Sequence, residues 1–200
     1  MRKFLGVVIA LIIAFAAYWG WALFGAAQIA AAASRGDAPA VMQRVDLTAL
    51  RHSLSRQIVR AYLDQNPQFQ KMGRLQQGIV GSVGGGVADA MLREVLTPEN
   101  IAALLQKGHV GAAKDSDPTG GVWRMPSLGE AFHAGPWQAA THSYFNGPVS
   151  FVVGLDGPDG HYGVHLHLGG TTWRLSGFDI PDEVSARLAH EIADRQKAAG

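Results

Sequence analysis

The sequence predicts an α+β protein. It has a single N-terminal transmembrane helix, then helices packed on a small antiparallel β-meander that a C-terminal helix closes. Three observations predict this: a long uncharged apolar run at the start, apolar residues spaced by three and four in the middle, and an alternating pattern after residue 140. The predicted segments are an anchor (1–27), a helical segment (28–107), a linker or irregular loop (108–138) and a sheet with a C-terminal helix (139–200), with 28–200 forming one envelope domain.

The composition excludes several classes of function. The chain of 200 residues carries 17 Lys and Arg against 16 Asp and Glu, so its net charge of +1 supplies no field that attracts nucleic acid. We therefore expect no nucleic-acid partner. Because the chain has no cysteine, disulfides, thiolate metal sites, thiol nucleophiles and an N-terminal lipid-bearing cysteine are also excluded.

The first predicted element is a membrane anchor. Residues 4–27 are 24 consecutive residues without a formal charge. As a helix they reach about 36 Å, which exceeds the roughly 30 Å core of a bilayer. Arg2 and Lys3 precede the run and the next cationic side chain is Arg35. The positive-inside rule therefore predicts a single-pass protein with a cytoplasmic N-terminus, a periplasmic or extracellular C-terminal domain and the lipid bilayer as its partner through this run.

The residues near the end of the run bear on where the anchor leaves the bilayer, whether it is cleaved and how far its helix continues. Amphipathic rings favour an exit from the bilayer near Phe24, and they comprise Tyr18, Trp19, Trp21 and Phe24. A cleaved signal peptide is the competing interpretation, because Ala26, Ala27 and 30–33 offer the small residues that signal peptidases accept. The run exceeds the usual apolar stretch of about 7–15 residues in signal peptides, which favours a retained anchor. The helix is also able to continue through 28–34 until Gly36-Asp37, which reads as a stop followed by a new N-cap.

The segment 28–107 is predicted to be helical. Asp46 is the N-cap of an amphipathic helix that ends before Pro67, with apolar positions at Leu47, Leu50, Leu54, Ile58 and Ala61. A glycine-containing apolar helix follows from about residue 68 to 96; its glycines permit close approach to a neighbour or a bend, and they lack the Lys-Ser/Thr ending of a phosphate loop. Thr97 and Pro98 then begin a short helix that stops at Gly108.

The C-terminal part is predicted to form the sheet. Segment 108–138 lacks periodicity and reads as a loop. Alternating residues then predict strands over 141–146 with 149–155, 162–168 and 171–178. The connections, a Gly-Pro-Asp-Gly turn at 157–160 and Gly169-Gly170, are short enough for an antiparallel meander. Pro181 opens the terminal helix.

Short motifs in this order resemble a known family. They are Gly36-Asp37, the string 45–51, Leu96-Thr97-Pro98-Glu99, Tyr144 before a Phe151-containing strand, and Trp173-Arg174-Leu175 leading to Ile180-Pro181. The sequence is similar to the uncharacterised bacterial membrane-anchored family called domain of unknown function 2939, apart from an insertion at 114–135. The resemblance implies a membrane-attached envelope protein with no established activity and no agreed catalytic residues. Together with the charge pattern it places the anchor in the bacterial inner membrane and the C-terminal domain in the periplasm. The order of helices and sheet also resembles cystatin-like or nuclear-transport-factor-like cone folds, by analogy alone.

The best candidates for a metal site lie in the strand 162–168 and at the residue directly before it. His161, His165 and His167 project from one face, and imidazoles at this spacing are able to bind zinc or copper if a neighbouring strand supplies His142. Arg174, expected on the same face, repels a cation. A solvated or ligand-facing strand is therefore the preferred interpretation, and we predict no metal, catalytic or cofactor residues.

These observations predict a non-enzymatic binding or scaffold module. It would hold an envelope protein, a lipid or a small apolar ligand near the outer surface of the cytoplasmic membrane, and it would need no cofactor. The alternative is a metal-binding protein or metal-dependent enzyme that uses the histidine-bearing strand. A third hypothesis is a structural subunit of a larger membrane complex.

Overall fold

The computed structural model describes residues 2–64, 86, 92–93, 96–108, 126–129, 132, 136–157 and 160–186. The elements are α1 (Arg2–Ser34), α2 (Ala38–Met42), α3 (Leu47–Asp64), α4 (Pro98–Lys107), α5 (Pro136–Thr141), β1 (Ser143–Phe145), β2 (Ser150–Gly157), β3 (Gly160–Gly169) and β4 (Thr172–Asp179). A short helix over 182–186 follows the last strand. The predicted α+β class is confirmed, whereas most of the glycine-containing helix (68–96) and of the linker (108–138) lies outside the described residues.

Helix α1 is longer than the predicted anchor and runs without interruption for 33 residues. It ends where the sequence predicts a stop, because Gly36 adopts the left-handed conformation at φ +68° that glycine tolerates best. The carboxylate of Asp37 then accepts a hydrogen bond from the amide of Ala40 at 3.1 Å and caps α2. The predicted continuation of the helix through residue 34 is therefore confirmed.

The two halves of α1 have different surroundings. Residues 4–17 are exposed on every side of the helix. From Ala22 onward one side of the helix is buried in the core, including Ala26, Ile29 and Ala33. The core thus begins six residues before the predicted domain start at residue 28. Composition does not reveal this boundary, because lipid and a protein core select the same small and apolar side chains.

The four strands form one antiparallel sheet in the order β1-β2-β3-β4, as the sequence predicts. The β3–β4 turn contains Gly170 at φ +63°, a conformation that tight hairpin turns require. One face of the sheet packs into the core, and its buried residues are Phe151, Val153, Leu155, Tyr162, Val164, Leu166, Trp173, Leu175 and Phe178. This face packs with the second half of α1 and with α3 in one hydrophobic cluster.

The outer edge of β4 is covered by the chain that leads into α3. The amide of Asp46 donates to the carbonyl of Leu175, and the amide of Leu175 donates to the carbonyl of Arg44, both at 2.8 Å. The carboxylate of Asp46 accepts from the amide of Ala49 at 3.0 Å, which confirms the predicted N-cap. The amide and the carbonyl of Leu175, which would otherwise face solvent at this edge, are thus paired within the chain.

Farther along the same edge, Gln57 of α3 bonds the backbone with both ends of its amide. Its nitrogen donates to the carbonyl of Phe178 at 2.5 Å, and its oxygen accepts from the amide of Ile180 at 3.0 Å. A single half-buried side chain therefore joins α3 to the end of β4.

We expect Gln57→Ala to lower the free energy of unfolding by about 1–2 kcal/mol, because each of the two hydrogen bonds lost with the backbone of Phe178 and Ile180 contributes on the order of 1 kcal/mol. Urea unfolding of the full chain in detergent micelles measures the change. The neighbouring Arg56 is exposed, and Arg56→Ala is a matched control expected to stay within about 0.5 kcal/mol of the parent protein. Equal losses in the two variants would contradict the bridging role of Gln57.

Candidate functional site

One end of the sheet lies beside the middle of α1. We call this end the anchor-facing rim and define it as the β1–β2 turn (146–149) with the β3–β4 turn (169–172). The hydroxyl of Tyr18 donates a hydrogen bond to the carbonyl of Pro148. Phe145, directly before the first turn, stacks on Tyr18 with ring centroids 5.1 Å apart and planes 12° apart. The rim therefore lies level with the aromatic residues of α1.

Trp173 packs the sheet against α1 at the level of these aromatic residues. Its side chain is 1% exposed, and its ring centroid lies 5.9 Å from that of Tyr18 and 6.2 Å from that of Trp21. Gly25 lies against it so closely that a Cβ atom at position 25 would be 2.7 Å from the Cβ of Trp173. Within the part of the chain that the structure describes, the indole nitrogen of Trp173 is buried without a hydrogen-bond partner. Among the described residues, packing contacts are what hold this ring.

The two ends of the sheet differ in their charge. The two turns of the anchor-facing rim contain no Asp, Glu, Lys or Arg. The opposite end carries acidic side chains, and those that the structure describes are Asp156, Asp179, Asp182 and Glu183. The sheet thus presents an uncharged end toward the first half of α1 and an acidic end away from it.

The three histidines proposed as metal ligands share the outer face of β3 but contact different partners. His161 Nδ1 lies 2.5 Å from Asp156 Oδ1, and His165 Nε2 lies 2.6 Å from Asp179 Oδ2. His167 is the register partner of Arg174, which places the arginine on the histidine face as predicted. These three imidazoles therefore do not converge on one point.

His142, the fourth imidazole considered, lies near the first of these pairs. Its Nε2 atom is 4.0 Å from Asp156 Oδ2. Within residues 2–64, 96–108, 136–157 and 160–186 and the shorter described stretches, no group of three or more His, Asp or Glu side chains is arranged to hold a metal ion. The histidine strand thus presents carboxylate-paired imidazoles at a solvent-accessible surface.

Sequence reasoning missed Asp179 as the partner of His165. A bulge between β3 and β4 explains this: His167 pairs with Arg174, but His165 pairs with Gly177 and Gly163 with Asp179. In an unbulged hairpin Asp179 would pair with Tyr162 and point to the core face. The extra residue moves Asp179 to the histidine face. The Gly169-Gly170 turn indicates a hairpin between β3 and β4, but the sequence does not show where the extra residue of the bulge lies.

Comparison with known families supports the resemblance found from the motifs. Residues 11–104 match the family described as Protein of unknown function (DUF2939). The predicted resemblance is confirmed over this segment, which runs from the exposed half of α1 into α4 and ends before the sheet. The quoted motifs around Tyr144 and Trp173 lie outside it. No curated protein and no solved structure matches the chain.

Helix α1 supplies the membrane-compatible element of the segment that matches DUF2939. The helix Lys3–Ser34 is long and apolar enough to cross a membrane. It is the one such helix among the residues that the structure describes. Its N-terminal half is compatible with lipid on all sides, and its C-terminal half is part of the folded domain.

Proposed function

We propose that this protein is a non-enzymatic scaffold module that α1 anchors in the bacterial cytoplasmic membrane and that presents its domain on the periplasmic side to another envelope component. The observation that carries the proposal is the continuity of α1 from an exposed apolar half to a half buried in the domain core. Because no flexible linker separates the two halves, the domain keeps a fixed height and orientation above the bilayer. A fixed position suits a scaffold for a membrane partner.

The charge distribution around α1 supports this orientation. Arg2 and Lys3 lie at its start, whereas Arg35 follows its end, beyond the part packed in the core. The first half of the helix therefore has cationic residues on its N-terminal side only, and such residues are retained in the cytoplasm.

Burial along α1 favours a retained anchor over a cleaved signal peptide. Ala26 and Ala33, which belong to the small residues that a peptidase would accept, are fully buried in the core. Cleavage within 26–33 would remove Ala22 from the domain, together with Gly25 beneath Trp173. The folded domain therefore depends on a segment that signal peptidase would discard.

The topology is testable because the chain contains no cysteine of its own. Glu183 is exposed at the acidic end of the sheet, and we expect Glu183→Cys to react with a membrane-impermeant maleimide in spheroplasts with an intact inner membrane. The matched control is Lys3→Cys, which should react only after the membrane is opened. Labelling of Glu183→Cys only after opening would contradict the periplasmic orientation.

The scaffold role is testable on the outer face of the sheet. His167 is exposed there, and a photo-crosslinking amino acid at position 167 is expected to give one discrete adduct in living cells. The same group at Arg56, which is exposed on α3, is the matched control and is expected to give none. An absence of adducts from position 167 would contradict a scaffold that binds through this face.

A further inference from the structure

We propose that the anchor-facing rim lies within the headgroup layer and outer hydrocarbon of the phospholipid bilayer that α1 crosses, so that the domain is seated in the lipid surface rather than held above it. This inference rests on the proposed membrane anchoring. It adds a second lipid-contacting surface, formed by the turns 146–149 and 169–172 together with the exposed rings at Trp21 and Phe24.

The length of the exposed part of α1 carries the argument. Residues 4–17 are exposed, and Tyr18, the next residue, donates a hydrogen bond to the rim. Fourteen helical residues reach only about 21 Å, about 9 Å short of a bilayer core of about 30 Å. Tilting the helix increases the shortfall. A span that starts at Phe4 therefore has to include about six more residues, which are the ones packed against the rim.

Contacts at this level tie the rim to the same depth. The Phe15 ring centroid lies 6.2 Å from that of Phe145, and the hydroxyl of Tyr18 bonds the carbonyl of Pro148 in the turn. A membrane that surrounds residues 15–23 of α1 on the sides that the sheet does not cover consequently contacts the β1–β2 turn as well. The domain is unable to withdraw from the lipid without breaking its own core contacts with α1.

The exposed surface at this end has the composition of a membrane interface. Val149 is 41% exposed and Tyr144 is 54% exposed, and on α1 Trp21 is 39% and Phe24 61% exposed. Tyrosine and tryptophan favour the headgroup level, where the ring is apolar and its polar atom reaches water. The rim turns hold no formal charge, so their entry into the interface carries no cost of desolvating an ion.

Among the described residues of the sheet, charged groups lie at a greater distance from the rim. Arg174 is exposed and lies two residues beyond the β3–β4 turn, about 7 Å along the strand. A guanidinium at this height is suited to the phosphate groups of lipids. The acidic side chains Asp156 and Asp179 lie at the opposite end of the sheet, where they face water rather than anionic headgroups.

The experiment places one nitroxide label at a time on the full-length, naturally cysteine-free chain in vesicles of phosphatidylethanolamine and phosphatidylglycerol. The labelled variants are Val149→Cys at the rim, Leu11→Cys in the anchor and Glu183→Cys at the acidic end. Collision with oxygen reports lipid, and collision with a water-soluble nickel complex reports water. We expect positions 11 and 149 to collide severalfold less with nickel than position 183 does.

The outcomes separate this inference from the proposed anchoring. Nickel access at position 149 equal to that at position 183, with position 11 protected, would overturn the seated rim and leave the anchor intact. Nickel access at position 11 would overturn the anchoring itself. Spin–spin broadening at position 149 would show that a second copy of the chain, rather than lipid, covers the rim, and would also overturn the inference.

A second variant keeps the test independent of the label at position 149. With the nitroxide at Thr171→Cys in the other rim turn, adding Val149→Asp is expected to raise the nickel collision rate at position 171, because a carboxylate draws water into the lipid interface around the two turns while the domain keeps its contacts with α1. The label at position 11 should not change. No change at position 171 would overturn the proposal.

Discussion

Trp173→Ala is expected to lower the free energy of unfolding by about 3–5 kcal/mol, the cost of truncating a large buried aromatic side chain. The ring is 1% exposed and contacts aromatic residues of both α1 and the sheet, namely Tyr18, Trp21, Phe145 and Phe151. Its removal opens a cavity between the two. Urea unfolding in detergent micelles, followed by near-ultraviolet circular dichroism, measures the loss.

Two further variants make the result specific. Trp21 contacts the same ring but is 39% exposed, so Trp21→Ala is expected to cost markedly less than Trp173→Ala. Trp173→Phe is also expected to cost less than alanine, because the indole nitrogen has no hydrogen-bond partner within the described residues and only ring volume is lost. A loss at Trp173→Phe as large as that at Trp173→Ala would contradict a purely packed role.

Gly25→Ala is expected to lower the free energy of unfolding by about 1–3 kcal/mol, although alanine favours a helix over glycine by about 1 kcal/mol. The added Cβ would lie 2.7 Å from the Cβ of Trp173, so α1 and β4 would have to move apart. Because this contact joins the anchor helix to the sheet, we also expect the variant to loosen the rim from α1. The same urea titration measures the change in stability.

Gly20 provides the matched control in the same helix. A Cβ at position 20 meets nothing within 4 Å, so Gly20→Ala should leave the domain unchanged or stabilise it by up to about 1 kcal/mol. A loss of stability in Gly25→Ala together with a gain in Gly20→Ala would show that the contact between position 25 and Trp173 causes the loss. Equal effects at positions 20 and 25 would contradict the close packing of Trp173 on α1.

The sheet could be predicted well from the sequence because its signals are local. Alternating apolar residues and the glycines at 169–170 predict strands and turns within the span of one hairpin. The caps at Asp37 and Asp46 follow from the same kind of short-range pattern, and both carboxylates accept the predicted type of hydrogen bond.

The limits of the anchor could not be predicted, because the decisive contacts are distant in sequence. Ala22 and Ala26 look like lipid-facing residues until the sheet is known to cover them. The pairing of His165 with Asp179 depends likewise on one extra residue in a strand pair. Both are tertiary facts that hydropathy and spacing do not contain.

The uninterrupted α1 has a consequence for how the protein is made. Tyr18 and Pro148, which bond each other in the finished domain, are 130 residues apart. At roughly 5–20 residues per second, the ribosome needs on the order of ten seconds to synthesise the chain between them. Throughout that interval the apolar side of residues 22–33 lacks the sheet that covers it in the folded domain. Factors that shield apolar segments of nascent chains therefore have a defined target in the second half of this helix.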